Sequence, residues 1–252
     1  MKRVVLNTLY LIGLLVWNLP LLAQAQNSSN LNLPGMSINF GQGVNLVDSI
    51  EILVLFTIIT LAPSIIILCT SFTRILIVLS FMRQAIGTQN MPPNQLLVGF
   101  AIFLSMFVMQ PTGERIYNKA IVPYMNKSIT TTAAVDEITL SLRAFMQKQV
   151  RKNDIGLFYD VTGKSAPQNI DEVPIHYLIP AFIISELKTS FQIGFLLYIP
   201  FLVLDMVVAS VLMAMGMMML PPVVISLPFK LLLFVLVDGW QLVTGSLLRS
   251  FN

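Results

Sequence analysis

Six charged side chains interrupt the long apolar run that begins at Val173, and four of them are the first candidates for chemistry: Glu186, Lys188, Asp205 and Lys230. A charge stranded in lipid costs about 2.5 to 3.5 kcal/mol even on the gentler insertion scales. Stretches that carry Asp205 or Lys230 are therefore expected to pack in protein or to face a water-filled lumen. We hypothesise that Glu186 or Asp205 pairs with Lys188 or Lys230 across subunits. The same carboxylates, at Glu186 and Asp205, would carry protons or ions in a small secondary transporter.

A second candidate is the stretch MAMGMMMLPP at 213–222, which places five methionines within seven residues ahead of a double proline. Methionine is unbranched and polarizable, so a cluster of it suits a surface that must seal against changing shapes. Methionine also fills ordinary apolar helices, and composition alone leaves this interpretation open.

Residue patterns for catalysis and ligand binding are weak or missing in the sequence. There is a single histidine, His176, and a single cysteine, Cys69, so no metal-ligand spacing and no intramolecular disulfide can be drawn. The tripeptide GKS at 163–165 matches the end of a phosphate-binding loop, but Phe158 stands where its first glycine belongs. The sequence therefore predicts no enzyme activity, no cofactor and no metal.

The composition predicts a membrane protein. The chain has 252 residues, of which 56% are hydrophobic and 11% charged, whereas soluble domains carry about 25% charged residues. The formal net charge is +3, and two of the cations, Lys2 and Arg3, lie in a segment expected to be removed. Nothing indicates the basic surface of a nucleic-acid-binding protein.

We predict three regions along the chain. Residues 1–25 have a basic start, an apolar middle and a small-residue end, which is the plan of a cleavable signal peptide. Residues 26–45 are rich in Asn, Ser and Gly and are expected to form a flexible leader. Residues 46–252 form a single domain, in which the segment 111–175 is polar and is expected to face water.

The apolar runs of this domain do not all have membrane-spanning length. Residues 52–73 are long enough to cross a hydrocarbon core, which takes about 20 residues. Residues 96–109 are short for a span, and apolar segments of this length are more often helices buried in protein or re-entrant helices. In the polar segment, an amphipathic helix is predicted over 136–152 and a loop over 153–172.

Several short blocks stand in a distinctive order and spacing. They are TSFTRI at 70–75, MPPNQ at 91–95, SELK at 185–188, GFLLYIPF at 194–201, MGMMMLPP at 215–222, SLPFK at 226–230 and DGW at 238–240. Together they resemble the FliP family of flagellar biosynthesis proteins. The likeness covers nearly the whole mature chain, except for the leader and the 111–175 segment.

The resemblance implies a core, pore-forming subunit of the flagellar type III protein export gate, which passes unfolded flagellar substrates across the inner membrane. It implies an all-α fold of long kinked helices and helical hairpins. Such chains, as a pentamer together with FliR and FliQ, would assemble into a membrane-associated helical cone that contacts lipid, with FlhB at its entrance. The implied location is the flagellar basal body, largely on the periplasmic side of the bacterial inner membrane after signal cleavage.

The resemblance assigns a pore gasket to three residues of this sequence: Met217, Met218 and Met219. Rings of these side chains from neighbouring subunits would form a deformable seal around an unfolded substrate. Gly216 before them and Pro221 and Pro222 after them would break the helix and let the loop project into the lumen. Met213 and Met215 are expected to lie in the preceding helix and only to pack. An ion-coupled transporter and an assembly factor without a pore stay open as alternatives.

Overall fold

The computed structural model gives the architecture of a large part of the chain. The described residues are 30–33, 36–39, 53–54, 56–57, 60–61, 64–88, 91–165, 167–217 and 219–251. They belong to two compact units, Met1–Ala62 and Pro63–Asn252, and each unit is described by itself. The predicted signal peptide at 1–25 lies outside the described residues, and the predicted boundaries of the leader and the domain stay predictions.

The first unit contains a short β-hairpin. Strand β1, Asn30–Leu33, pairs antiparallel with β2, Met36–Asn39, so that Leu31 lies opposite Ile38. Both strands lie within the predicted leader. The other regular structure in the described residues is helical, and the all-α fold class is therefore confirmed, with this hairpin as its one addition.

The second unit opens with helical residues 64–68 and then α1, Phe72–Ile86. Helix α1 ends at Gly87, whose φ of +89° is the left-handed conformation that glycine adopts at helix ends. The connection to the next helix is held by Arg83, whose Nη1 donates to the Asn94 side-chain oxygen at 2.6 Å.

Helix α2, Asn94–Ile116, runs through Pro111 and does not stop there. A π-helical turn, Tyr117–Ile121, and a last helical turn, Val122–Met125, extend it. The expectation that this segment is too short for a span is therefore wrong, since Asn94–Met125 is long and apolar enough to cross a membrane. Proline removes one backbone hydrogen bond and pushes on the preceding turn, and a helix of this length keeps its other hydrogen bonds around that position.

Helix α3, Thr131–Gln149, confirms the predicted amphipathic helix and begins earlier than the sequence pattern indicated. Its start is fixed by Thr130, whose hydroxyl accepts a hydrogen bond from the backbone N–H of Ala133 at 3.3 Å. The buried face includes Phe145 and Met146.

The loop predicted for 153–172 is wrong over its first half, because helix α4 occupies Lys152–Val161. A 3-10 turn follows at Ile170–Glu172. Ile155 and Tyr159, which are four residues apart on one helical face, are both buried in the core that α4 shares with the next helix. Two apolar positions at helical spacing are too weak a signal in a short polar segment, and tertiary packing decides in favour of helix.

Helix α5, Ile175–Ala214, is 40 residues long and contacts α1, α3 and α4. At 1.5 Å per residue it is about 60 Å long, roughly twice the thickness of a hydrocarbon core. Gly194 allows α1 to lie close against it, since a Cβ at this position would come within 2.7 Å of the Phe81 ring.

Two further helices complete the unit. Helix α6, Pro222–Leu236, returns alongside α5, and α7, Gly239–Arg249, is bent by 65° from α6. At the bend, Asp238 has a φ of +50°, and Gly239 lies against Phe234, where a Cβ would come within 2.2 Å of the ring. The block DGW at 238–240 therefore makes this bend.

The unit has two hydrophobic clusters and a large uncovered apolar surface. One cluster joins α1 to α2, α5, α6 and α7, and the other joins α3, α4 and the start of α5. Along the second half of α5, side chains such as Phe195 and Met206 remain exposed. Two helices, Asn94–Met125 and Ile175–Ala214, are long and apolar enough to cross a membrane, and a third span results if α6 and α7 count as one. The exposed apolar faces therefore require a lipid or protein cover.

Candidate functional site: the methionine loop and the ion pairs behind it

The end of α5 is a Schellman motif that turns the chain into the methionine loop. Gly216 has a φ of +76°, its N–H donates to Met213 O at 3.0 Å, and the N–H of Met217 donates to Leu212 O at 2.9 Å. These two bonds satisfy two of the carbonyls that the end of the helix leaves free. Only glycine adopts this left-handed conformation without strain, which is why α5 ends here.

The far side of the loop is set by two prolines. Pro221 is extended, and Pro222 is the first residue of α6, a position where the missing N–H of proline leaves no hydrogen bond unmade. Between these two stops Met219 is 97% exposed, and Met217 is exposed as well, whereas Met218 lies outside the described residues. The loop thus presents methionine side chains away from the body of the unit.

The two methionines before the loop lie at the end of the preceding helix, as expected, and the expectation that they only pack stays a prediction. Met213 lies in the last turn of α5 and Met215 is the C-cap residue. Both side chains are more than half exposed in the single chain.

An ion pair joins the two helices that flank the loop. Lys230 Nζ of α6 donates to Asp205 Oδ2 of α5 at 2.7 Å, and Ser226 Oγ donates to Asp205 Oδ1 at 2.5 Å. Ser226 and Lys230 are four residues apart and share one face of α6. Lys230 is buried and also reaches the carbonyl of Ala85 in α1, at 3.4 Å. The loop therefore connects two helices, α5 and α6, that these bonds hold together.

A second ion pair lies deeper in the unit. Arg74 of α1 and Glu186 of α5 form a two-point pair whose Nε to Oε2 distance is 2.8 Å, and both side chains are at most 2% exposed. Arg74 Nη2 donates to Gln149 Oε1 at 3.0 Å, Nη1 donates to Ser250 O at 2.9 Å, and the guanidinium carbon lies 3.9 Å from the centre of the Phe251 ring. One arginine thus ties together α1, α3, α5 and the end of the chain.

Polar bonds also join α4 to α5 beside this pair. Ser185 Oγ donates to Asp154 Oδ2 at 2.6 Å and accepts from the backbone N–H of Arg151 at 3.1 Å. The block SELK at 185–188 therefore contributes two buried partners, Ser185 and Glu186, to the packing of α5.

The structure gives partners within the chain to three of the four charges singled out in the sequence. Glu186 pairs with Arg74, and Asp205 with Lys230. Lys188 is exposed and has no ion pair among the described residues, so its contact with another subunit stays a prediction. Sequence reasoning missed Arg74 as a partner, although a lone arginine directly after the uncharged run 52–73 was the available signal.

Within the ranges that the structure describes, no group of three His, Cys, Asp or Glu residues could hold a metal ion. His176 lies against the ring of Tyr177, with centroids 4.5 Å apart.

Fold and site together define a membrane-associated helical protein built around an exposed methionine loop on an ion-paired hairpin. A family model described as the FliP family matches residues 55–247. The flagellar biosynthetic protein FliP of Bacillus subtilis is 52% identical over 207 residues, which cover 82% of this chain and 94% of that protein. The chain belongs to the FliP family, and it is a component of flagellar biosynthesis with helices of membrane-spanning length.

Relatives from distant bacteria agree with this assignment. The FliP protein of Caulobacter vibrioides is 49% identical, with 93% of this chain and 86% of the relative covered. That of Borreliella burgdorferi is 48% identical, with 90% of each chain covered. The likeness thus extends over most of the length of each relative.

Proposed function

We propose that the chain is a pore-forming, non-enzymatic subunit of the flagellar type III export gate, through which unfolded flagellar substrates cross the bacterial inner membrane. The observation that carries this proposal is the methionine loop, in which Met219 is almost fully exposed between two fixed helix ends. Copies of such a loop around an axis place flexible thioether side chains in a ring. Methionine adapts to many shapes, so the ring closes on itself when idle and yields to a passing chain.

The uncovered apolar faces support an assembled protein. Single soluble proteins rarely expose large contiguous apolar patches, whereas α5 and α6 do so along much of their length. We infer that further copies of this chain, as a pentamer, and the partner subunits FliR and FliQ cover them, with FlhB at the entrance and lipid around part of the assembly. Family membership supports these partners and a place in the basal body, largely on the periplasmic side after signal cleavage.

The two carboxylates on which an ion-coupled transporter would depend are held by cations. Glu186 is paired with Arg74. Asp205 is paired with Lys230 and also accepts a hydrogen bond from Ser226 Oγ. A carrier site needs a carboxylate that is free to bind an ion or a proton during transport, whereas both of these carboxylates are engaged with a cation of the same chain. The pairing therefore favours the export channel.

The proposal is tested by ion leakage through the assembled gate. Replacing Met217, Met218 and Met219 by alanine removes the seal, so cells that carry the assembled variant are expected to take up small ions and to retain some export. The matched control replaces Met213 and Met215, two exposed methionines outside the loop tip, and is expected to stay tight. Unchanged permeability in an assembled triple variant would refute the gasket.

A further inference from the structure

The methionine loop and the end of α5 present a cluster of thioethers that a small oxidant can reach. Five methionines lie at 213–219, and the four of them whose side chains the structure describes are all exposed, with Met219 at 97%. Methionines in the core are shielded, since Met82 and Met146 are at most 1% exposed. Exposure is the condition under which a methionine sulfur is oxidised to a sulfoxide.

The oxidation is a simple oxygen transfer from a peroxide. A lone pair of the sulfur attacks one oxygen of hydrogen peroxide, the S–O bond forms and the O–O bond breaks. The hydroxide that leaves takes the proton from the transferred oxygen and becomes water. The sulfur thus loses two electrons and the peroxide gains them. Methionine sulfoxide reductases return the thioether, so the change is reversible.

The surroundings of the loop determine what a sulfoxide does there. Its oxygen is polar and accepts hydrogen bonds, but residues 213–222 are only Met, Ala, Gly, Leu and Pro, so none of their side chains donates one. The N–H groups of Gly216 and Met217 already donate to carbonyls in the last turn of α5. The two prolines after the loop have no N–H. Where copies of this loop meet, a sulfoxide oxygen therefore takes its donor from water.

We propose that the methionine loop is a site of reversible oxidation, at which peroxide converts Met219 and the methionines beside it to sulfoxides and thereby opens the seal to water and small ions. This inference rests on the proposed function, because it takes these side chains to form the seal. It adds a chemical control of that seal. A ring of thioethers excludes water and deforms easily, whereas burying a polar oxygen without a donor is unfavourable and keeps the oxidised ring hydrated.

The first measurement tests the modification itself in membrane vesicles that carry the assembled protein. The vesicles are treated with hydrogen peroxide, and tandem mass spectrometry of the digested chain follows the addition of one oxygen atom to each methionine. Met219 is expected to be oxidised first, and Met82 and Met146 last, in the order of their exposure. Oxidation of the two core methionines before Met219 would overturn the proposal at its chemical step, independently of what the loop does.

The second measurement tests the consequence, as the ratio of ion leakage after peroxide to leakage before it in the same vesicles. For the unaltered chain leakage is expected to rise about tenfold, which corresponds to about 1.4 kcal/mol and lies within the cost of a buried acceptor without a donor. The triple variant Met217→Leu, Met218→Leu and Met219→Leu has no sulfur at the loop tip, so its leakage is expected not to respond to peroxide. Vesicles that lack the chain give the background from oxidised lipid.

A matched control replaces three exposed methionines outside the loop, Met91→Leu, Met106→Leu and Met125→Leu. Its leakage is expected to rise on oxidation as much as that of the unaltered chain does. Treatment of the oxidised vesicles with methionine sulfoxide reductase and a dithiol is expected to reverse the rise. Equal responses of the leucine loop variant and this control would overturn the proposal, because the leak would then arise elsewhere.

The alanine variant of the three loop methionines separates a failure of this inference from a failure of the proposed function. If the alanine variant leaks but oxidation of the unaltered loop changes nothing, the inference is overturned and the gasket stands. If neither the alanine variant nor the oxidised loop leaks, the gasket is refuted and the inference with it.

Discussion

The buried pair of Arg74 and Glu186 gives the sharpest test of how the helices are held together. Arg74→Met removes the cation and leaves the Glu186 carboxyl at about 1% exposure without its two-point partner. Breaking a buried pair from one side costs about 3 to 5 kcal/mol, because the remaining group stays buried without compensation. The loss of the bonds from Arg74 to Gln149 and Ser250 adds about 1 kcal/mol each.

The double variant Arg74→Met with Glu186→Leu separates the charge effect from the packing effect. Removing both charges abolishes the uncompensated carboxylate, so this variant is expected to be more stable than Arg74→Met alone by about 3 kcal/mol or more. The assay is reversible unfolding of the purified full-length chain in mixed micelles, followed by tryptophan fluorescence. Lys188→Met, at an exposed neighbouring position, serves as the control and is expected to shift the free energy of unfolding by less than about 0.5 kcal/mol.

Additive effects of the two substitutions would refute this reasoning, since they would mean that the two side chains are not energetically coupled. A loss of less than about 1 kcal/mol for Arg74→Met would do the same, because it would show that water reaches Glu186 when the arginine is absent.

Two further predictions concern the methionine loop and the helices α5 and α6 that flank it. Gly216→Val is expected to lower the free energy of unfolding by about 1 to 2 kcal/mol, because the left-handed φ of +76° strains a β-branched residue. Gly216→Asn is expected to lower it less, and equal unfolding midpoints for the two variants would contradict this reasoning. Exchanging the charges, Asp205→Lys with Lys230→Asp, is expected to restore part of the swimming lost in either single variant. Because the pair lies within one chain, coexpressing the two single variants is expected not to restore swimming, and rescue by coexpression would place the pair between subunits.

Features that depend on neighbouring residues were predicted better than features that depend on contacts between distant parts of the chain. The amphipathic face of α3 was predictable, since its apolar residues repeat at helical spacing and pack together. The course of α2 through Pro111 was not, because proline is a strong local stop signal whose effect depends on the surrounding packing. Helix α4 was missed for a related reason, as Ile155 and Tyr159 become a helix face only when α5 lies beside them.

The sequence by itself determined the methionine loop. Gly216 and the two prolines, Pro221 and Pro222, act on their own backbone and on bonds within one helical turn, so the end of α5 and the start of α6 were readable without any other part of the chain. Only the tertiary structure decided which groups neutralise the stranded charges. Glu186 pairs with Arg74, which is 112 residues away in the sequence. A charged side chain can pair with any opposite charge that packing brings near, so the arrangement of the helices determines which partner it has.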